Sequence, residues 1–227
     1  MSLIKIREVT KNYKGGDGVV EALKTINLEI AEGEFLALMG PSGSGKSTLL
    51  SVLGGLNPPT SGKLIIDDID VYALAPERLA DFRHEYVGFV FQQYQLIPYL
   101  TALENVMLPL AITSHTAKEQ RDMAQTVLDK VGLGTKSLRL PNQLSGGEQN
   151  RVAIARAIVN KPAIIFADEP TGSLDSKTAI ELLELFQTLN QGGLTIIMVT
   201  HNQENLNWVS RSVFIRDGVL VPIPEEA

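Results

Sequence analysis

A glycine-rich segment at residues 40–48, Gly-Pro-Ser-Gly-Ser-Gly-Lys-Ser-Thr, carries the complete pattern G-x-x-x-x-G-K-[ST]. The apolar run Phe35–Met39 before it predicts a strand buried on both faces, and Thr48–Leu53 after it predicts a helix. The glycines let backbone N–H groups turn toward one point, and a helix N-terminus adds positive partial charge there. Strand, loop and helix together predict a site for the phosphates of a nucleoside triphosphate.

The residues of this loop have separate predicted roles. Lys46 supplies a full charge for the β- and γ-phosphates, and the Ser47 hydroxyl suits a Mg²⁺ ligand. The alternative is a glycine/serine turn that binds nothing, which the flanking strand and helix disfavour. The predicted nucleotide-binding residues here are Gly40, Ser42, Gly43, Ser44, Gly45, Lys46, Ser47 and Thr48.

Composition excludes several classes of protein. The longest apolar stretches are five or six residues, far below the ~20 needed to cross a bilayer. The chain has no cysteine, which excludes disulfides, thiolate metal sites and cysteine catalysis and fits the cytosol. A net charge of −6 without a block of Lys or Arg argues against a nucleic-acid surface.

Two adjacent carboxylates end an apolar run at residues 164–167. Ligands of a parallel sheet sit at the carboxyl ends of its strands, beside the phosphate loop. Alternation along the strand points Asp168 and Glu169 in different directions, so Asp168 is a candidate for Mg²⁺ and Glu169 for the general base. The alternative is a strand that simply ends in solvent.

A second anion site is predicted at Leu144–Gln149. Ser145 followed by Glu148 is typical of a capping box, and the helix it opens has apolar residues on one side. Gly146 and Gly147 expose backbone N–H groups at the positive end of that helix. The alternative is an ordinary glycine-containing helix cap.

The chain as a whole predicts an α/β domain. Alternation at 4–9 and 26–30 predicts antiparallel strands, whereas the runs at 163–167 and 195–199 predict a parallel sheet. Helical signals dominate from 101 to 160, with capping boxes at Thr101 and Thr116. Other predictions are a loop at 14–18, strands at 63–67 and 86–91, a helix at 176–190, a hairpin with a type I′ turn at 213–221 and a frayed end at 224–227.

The order of these motifs resembles that of the ATP-binding cassette (ABC) ATPases. It comprises the phosphate loop, Gln92, LSGGE at 144–148, the acidic pair at 168–169, Ser173-Leu174-Asp175 and His201. The resemblance implies a P-loop NTPase (RecA-like) core with a parallel sheet, an N-terminal antiparallel β subdomain and an inserted helical subdomain. We expect one domain over 1–227, with its core at 1–92 and 151–227 and the helical subdomain at 93–150.

The resemblance also implies an active ATPase that binds ATP and Mg²⁺ between two copies arranged head to tail. Ser145, Gly146 and Gly147 of one copy would contact the γ-phosphate held by the other, and Asp175 would reach across the dimer. Tyr13 matches the aromatic residue that stacks on adenine, although stacking does not exclude GTP and the residue alone could be a surface or core tyrosine. The implied catalytic residues are Glu169, His201, Gln92 and Lys46, and the implied metal ligands are Ser47, Gln92 and Asp168.

A finer resemblance is to cassettes of lipoprotein-release, macrolide-export and cell-division systems. It rests on residues 88–92, 96–106 and 168–175. It implies a cytoplasmic ATPase, peripheral on the inner face of the cell membrane, that drives a separate integral membrane permease subunit in moving lipidic, hydrophobic or lipoprotein-like cargo. The alternative is an ATPase regulator that signals through a membrane partner to an extracytoplasmic enzyme. The apolar stretch Tyr94–Leu108 is a candidate docking groove for the membrane partner.

Overall fold

The structure is a computed structural model that describes residues 2–15 and 18–222. Its strands are β1 (Ser2–Gly15), β2 (Gly18–Ala31), β3 (Phe35–Met39), β4 (Ser61–Ile66), β5 (Ile69–Asp70), β6 (Val87–Val90), β7 (Ile164–Asp168), β8 (Thr195–Val199), β9 (Arg211–Arg216) and β10 (Val219–Val221). Its α-helices are α1 (Lys46–Leu53), α2 (Pro76–Tyr86), α3 (Ala102–Met107), α4 (Ala117–Lys130), α5 (Gly146–Ile158) and α6 (Ser176–Gln191). None of these helices is both long and apolar enough to cross a membrane.

Strands β2, β1, β4 and β5, in that order, form the predicted antiparallel sheet. One face of β1 and β2 is buried, as the alternation predicts, with Ile4, Ile6, Ile26 and Ile30 in the core. The predicted loop at 14–18 is wrong at its ends, because Lys14 pairs with Val19 and Gly15 with Gly18. Its middle, Gly16 and Asp17, lies outside the described residues. The pairing of β1 with β2 therefore extends closer to the turn than the glycines at 15, 16 and 18 suggest.

The second sheet has the order β10-β9-β3-β8-β7-β6, and all of its neighbouring strands are parallel except β10 against β9. Strands β3 and β8 are buried along their whole length, and β7 is buried up to Asp168. Helices cover both faces, so each of these strands is a continuous apolar run. The parallel arrangement brings the carboxyl ends of β3, β6, β7 and β8 to one edge.

The helical region between β6 and β7 contains α3, α4 and α5. Each begins with a complete capping box, at Thr101–Glu104, Thr116–Glu119 and Ser145–Glu148, as predicted. Their apolar faces join one core with β7, β8 and α6. The expected boundary between residues 150 and 151 falls inside α5, because this helix packs against both the sheet and the other two helices.

Several element limits differ from the predictions. Helix α1 begins at Lys46 rather than Thr48, so the phosphate loop runs directly into it. Helix α2 was not predicted at all, since Phe82 is its only buried residue among charged neighbours. The type I′ turn is confirmed by φ angles of 51° at Asp217 and 78° at Gly218. The frayed end predicted at 224–227 lies outside the described residues.

Candidate functional site

A cavity of about 830 Å³ opens at the edge where the parallel strands end. The phosphate loop, which follows β3, forms its floor, and residues after β6, β7 and β8 form one wall. Ten predicted site residues line it: Ser42, Gly43, Gly45, Lys46, Ser47, Thr48, Gln92, Asp168, Glu169 and His201. Residues more than 150 positions apart in sequence thus share one solvent-accessible space.

The phosphate loop depends on its glycines for steric reasons. Gly40, Gly43 and Gly45 all have positive φ, at 145°, 76° and 107°. A Cβ at Gly40 would lie 2.1 Å from the Ile215 carbonyl oxygen, and one at Gly45 would lie 2.5 Å from that of Ala22. The loop therefore needs glycine both for its conformation and for the close approach of neighbouring backbone.

Lys46 is the first residue of α1 and only 8% exposed. Its Nζ donates hydrogen bonds to the carbonyl oxygens of Gly40, at 2.8 Å, and Pro41, at 2.7 Å. Burial lowers the pKa of Lys46, while the carboxylates of Glu169 and Asp168 act in the opposite direction. The ammonium group thus lies in the loop with incomplete charge compensation, which favours a negatively charged ligand.

The neighbouring Ser47 and Asp168 provide two oxygen donors suited to Mg²⁺. Ser47 Oγ lies 3.4 Å from Asp168 Oδ1. Burial raises the pKa of Asp168, the bond from Ser47 lowers it and the Glu169 charge raises it further. The described residues contain no cluster of three or more His, Cys, Asp or Glu that could hold a metal alone. This donor set fits Mg²⁺, which is held by one or two protein oxygens together with water and substrate phosphates.

Glu169 and His201 form a close pair across the mouth of the cavity. His201 Nδ1 lies 2.8 Å from Glu169 Oε1 and 2.7 Å from Oε2. Glu169 has φ of 48°, a left-handed conformation that is uncommon outside glycine and is often found at functional sites. Gly172 lies next to both Gln92 and Glu169, since a Cβ added to it would be 3.4 Å from Gln92 Nε2 and 3.6 Å from Glu169 Oε2. The Gln92 amide is therefore near the Glu169 carboxylate.

The cavity is also lined by seven residues that the sequence did not predict: Val20, Glu21, Ala22, Lys24, Val199, Asp217 and Gly218. Gly218 binds the phosphate loop from the carboxyl-terminal hairpin, since its N–H donates to the Ser44 carbonyl oxygen at 3.0 Å. Its own carbonyl oxygen accepts from the Lys24 N–H at 2.7 Å. The Asp-Gly turn signal locates this hairpin in sequence but says nothing about its long-range contact.

The second predicted anion site lies elsewhere in the same chain. Ser145 Oγ accepts from the Glu148 N–H at 3.3 Å, and Glu148 Oε2 accepts from the Ser145 N–H at 2.9 Å. Neither Ser145, Gly146 nor Gly147 lines the cavity. Asp175 is also outside it and caps α6, where its Oδ1 accepts from the Thr178 N–H at 3.1 Å.

Tyr13 does not line the cavity either, although it was predicted to stack on adenine. Its hydroxyl accepts from Asn57 Nδ2 at 2.6 Å, and Lys11 Nζ lies 5.2 Å from the centre of its ring. Its cross-strand partner Val20 lines the cavity instead. Tyr13 therefore lies on β1, next to the strand β2 that contributes Val20 to the cavity lining.

The profile of the family described as "ABC transporter" matches residues 23–172, which include the phosphate loop, Gln92, Ser145–Gly147 and Glu169. The chain belongs to the ABC transporter family. Within this family it is an ATP-binding cassette, an ATPase that uses ATP with Mg²⁺.

Relatives of the cassette are similar over its whole length. An uncharacterized ABC transporter ATP-binding protein, YvrO of Bacillus subtilis, is 49% identical over 96% of both chains. The macrolide export ATP-binding/permease protein MacB of Syntrophobacter fumaroxidans is 47% identical over 98% of this cassette but only 32% of MacB. The solved cassette MJ0796, a dimer in a post-hydrolysis state with ADP and Pi, has a TM-score of 0.89 and 46% identity and covers 96% of this chain and 97% of its own.

Proposed function

We propose that this cassette powers a membrane transport complex by forming a head-to-tail dimer that closes on ATP. The observation that carries the proposal is the separation of two anion sites. Lys46, Asp168 and Glu169 line the cavity, whereas the N-terminus of α5 at Ser145–Gly147 lies outside it. A second copy in opposite orientation would bring its α5 to the open cavity, as a two-fold pair requires. The solved structure of MJ0796 is a dimer, which supports the pairing of two cassettes.

Within the cavity, we assign each group a role that is consistent with its position. Lys46 and the loop N–H groups hold the phosphates, and Ser47 and Asp168, assisted by Gln92, hold Mg²⁺. When bound there, the ion would supply positive charge that stabilises the transferring phosphoryl group. Glu169 accepts the proton of the attacking water, and His201, hydrogen-bonded to it, orients that carboxylate and contacts the γ-phosphate.

A relative that includes a permease supports the membrane partner in this proposal, and its export role supports a hydrophobic cargo. MacB is named as a macrolide exporter that joins an ATP-binding part to a permease, and this chain matches about a third of it. We infer a separate permease subunit here, a hydrophobic, lipidic or lipoprotein-like cargo, and a position on the cytoplasmic face of the membrane. Another solved neighbour, cbiO1 of Clostridium perfringens, is described as part of the ABC transporter complex cbiONQ.

A surface groove near β6 is suited to the membrane partner. A cavity of about 270 Å³ is lined by His84, Phe89, Phe91 and Pro109 among others. Of the predicted docking stretch, Tyr99 is 77% exposed, while Ala102 and Val106 are buried in the helical core. Of the predicted stretch Tyr94–Leu108 only Gln95 lines this groove, whose apolar side chains at Phe89, Phe91 and Pro109 would suit a short amphipathic helix.

The Glu169→Gln variant tests the proposal. Without the base, we expect ATP hydrolysis to fall by about 10²–10⁴-fold while the phosphate contacts remain. The variant should then accumulate as an ATP-bound dimer, measured by light scattering with saturating Mg-ATP. Glu184→Gln, on the exposed face of α6, is the matched control and should behave like the wild type. A variant that remains monomeric with bound ATP would contradict the proposal.

A further inference from the structure

Two consecutive residues just after Gln92 have an unfavourable backbone conformation. Tyr94 has φ of 56° and Gln95 has φ of 50°, whereas Gln93 is not in this region. Left-handed backbone is uncommon for residues with a side chain, and two in succession persist only when their surroundings hold them. The segment 92–95 therefore requires an external restraint.

That restraint comes from Arg156 on α5. Its Nη2 donates to the Tyr94 carbonyl oxygen at 2.7 Å and its Nη1 to the Gln95 carbonyl oxygen at 2.5 Å. Burial lowers the pKa of Arg156, and in the described part of the chain no carboxylate lies within salt-bridge distance of it. The guanidinium is half-buried, and its two hydrogen bonds to these carbonyl oxygens provide acceptors in place of an anion.

The other side of the segment reaches the second anion site. Tyr94 Oη lies 3.0 Å from Ser173 Oγ, and a Cβ at Gly146 would lie 3.2 Å from Tyr94 Oη. Residues 92–95 thus extend from the Mg²⁺ side of the cavity to the N-terminus of α5. Arg156 holds them from the same helix, about three turns from its Gly146 tip.

We propose that Arg156 is a positioning residue for ATP hydrolysis: it holds Tyr94 and Gln95 left-handed so that Gln92 faces the cavity. This inference rests on the proposed ATPase cycle. Helix α5 carries both this guanidinium and the Ser145–Gly147 tip. A nucleotide that is bound to a partner copy and contacts this tip would therefore also affect Gln92 in the same chain as the helix.

The Arg156→Met variant removes both hydrogen bonds and keeps the apolar stem. We expect kcat to fall by about tenfold or more, which corresponds to the loss of one oriented catalytic contact, with the KM for ATP within about twofold of wild type. Arg156→Lys should be intermediate, since an ammonium group cannot serve both carbonyls in the fork geometry of guanidinium. Arg151→Met on the same helix, which loses a bond to Glu181 instead, is the matched control and should keep kcat.

A second substitution separates positioning from packing. Gln95→Gly removes the steric cost of the left-handed backbone, so it should restore kcat of Arg156→Met by about threefold or more, while Gln93→Gly should not. If Arg156 only filled the core, Arg156→Met would lower thermal stability and neither glycine would restore kcat. Equal rescue by both glycines, or a wild-type kcat in Arg156→Met, overturns the proposal.

Hydrogen exchange of the backbone amides of residues 93–97 gives a readout that does not depend on hydrolysis. Exchange should be faster in Arg156→Met and return toward wild type with Gln95→Gly. If exchange is faster in Arg156→Met but the wild-type protein hydrolyses no ATP, the restraint by Arg156 is supported and the proposed function is contradicted. Unchanged exchange in an active ATPase would contradict the restraint alone.

Discussion

Lys46 shows how a single charge prepares the cavity for its ligand. The Nζ group is directed back onto the Gly40 and Pro41 carbonyl oxygens, and burial lowers its pKa. We expect Lys46→Ala to weaken ATP binding by about 100-fold, since hydrogen bonds to charged groups contribute roughly 1.5–3 kcal/mol each. A fluorescent-nucleotide titration measures the effect, and a thermal melt provides the folding control. Wild-type affinity in the folded variant would remove Lys46 from the site.

Residues within a motif could be predicted, but those that join the site through long-range contacts could not. Asp168 and Glu169 are recognisable because they end an apolar run and follow a phosphate loop in the same chain. Gly218 and Arg156 have no such signal, since their partners are more than 60 residues away. Local conformation was equally hidden, because nothing in the sequence Tyr94-Gln95 indicates positive φ.

The three capping boxes make the helical region sensitive to acid. Hydrogen bonds from Thr101 and Thr116 hold the pKa of Glu104 and Glu119 below the ordinary glutamate value. The folded state therefore binds these protons less tightly than the unfolded state, so the caps stabilise the fold above about pH 4.3 and lose their effect as pH falls further.

The double variant Glu104→Gln, Glu119→Gln tests this effect, because glutamine can cap but does not titrate. We expect it to melt below the wild type at pH 7, with the difference closing between about pH 5 and pH 3. Circular dichroism melts across this range measure the difference. A gap that is constant with pH would show that the carboxylate charge contributes nothing.

At the scale of elements, the sequence predicted segments with a regular pattern and missed those without one. The caps and apolar faces of α4 and α5 are explicit in their residues. The two long strands β1 and β2 were predicted too short, because register shifts near Val9 and Lys11 interrupt their alternation. Helix α2 packs on the core through only three apolar residues, Leu79, Phe82 and Tyr86, which lie among charged neighbours and make a weak helical signal.

At the scale of the whole molecule, the head-to-tail pair predicts complementation between two inactive variants. Lys46→Ala disables the phosphate loop. Gly146→Asp places a carboxylate where a phosphate of the partner's nucleotide would bind. The substitution should still allow folding, because an acidic residue is favourable at a helix N-terminus and the new Cβ would lie 3.2 Å from Tyr94 Oη. In an equal mixture about half of the dimers contain one copy of each variant, and each such dimer has one intact pocket out of two. The mixture should therefore recover about a quarter of the wild-type ATPase rate. No recovery on mixing would exclude pockets shared between copies.

The backbone of Gly218 joins the tip of the last hairpin to both the phosphate loop and β2. The stretch 23–172 that defines the family ends long before this residue. A chain shortened to that stretch would lose this hairpin and also β8, which pairs with both β3 and β7, so Lys46, Asp168 and Glu169 would no longer be held on one sheet. We therefore expect the hairpin, although it lies outside the matched stretch, to support the conformation of the phosphate loop through the hydrogen bond from Gly218 to Ser44.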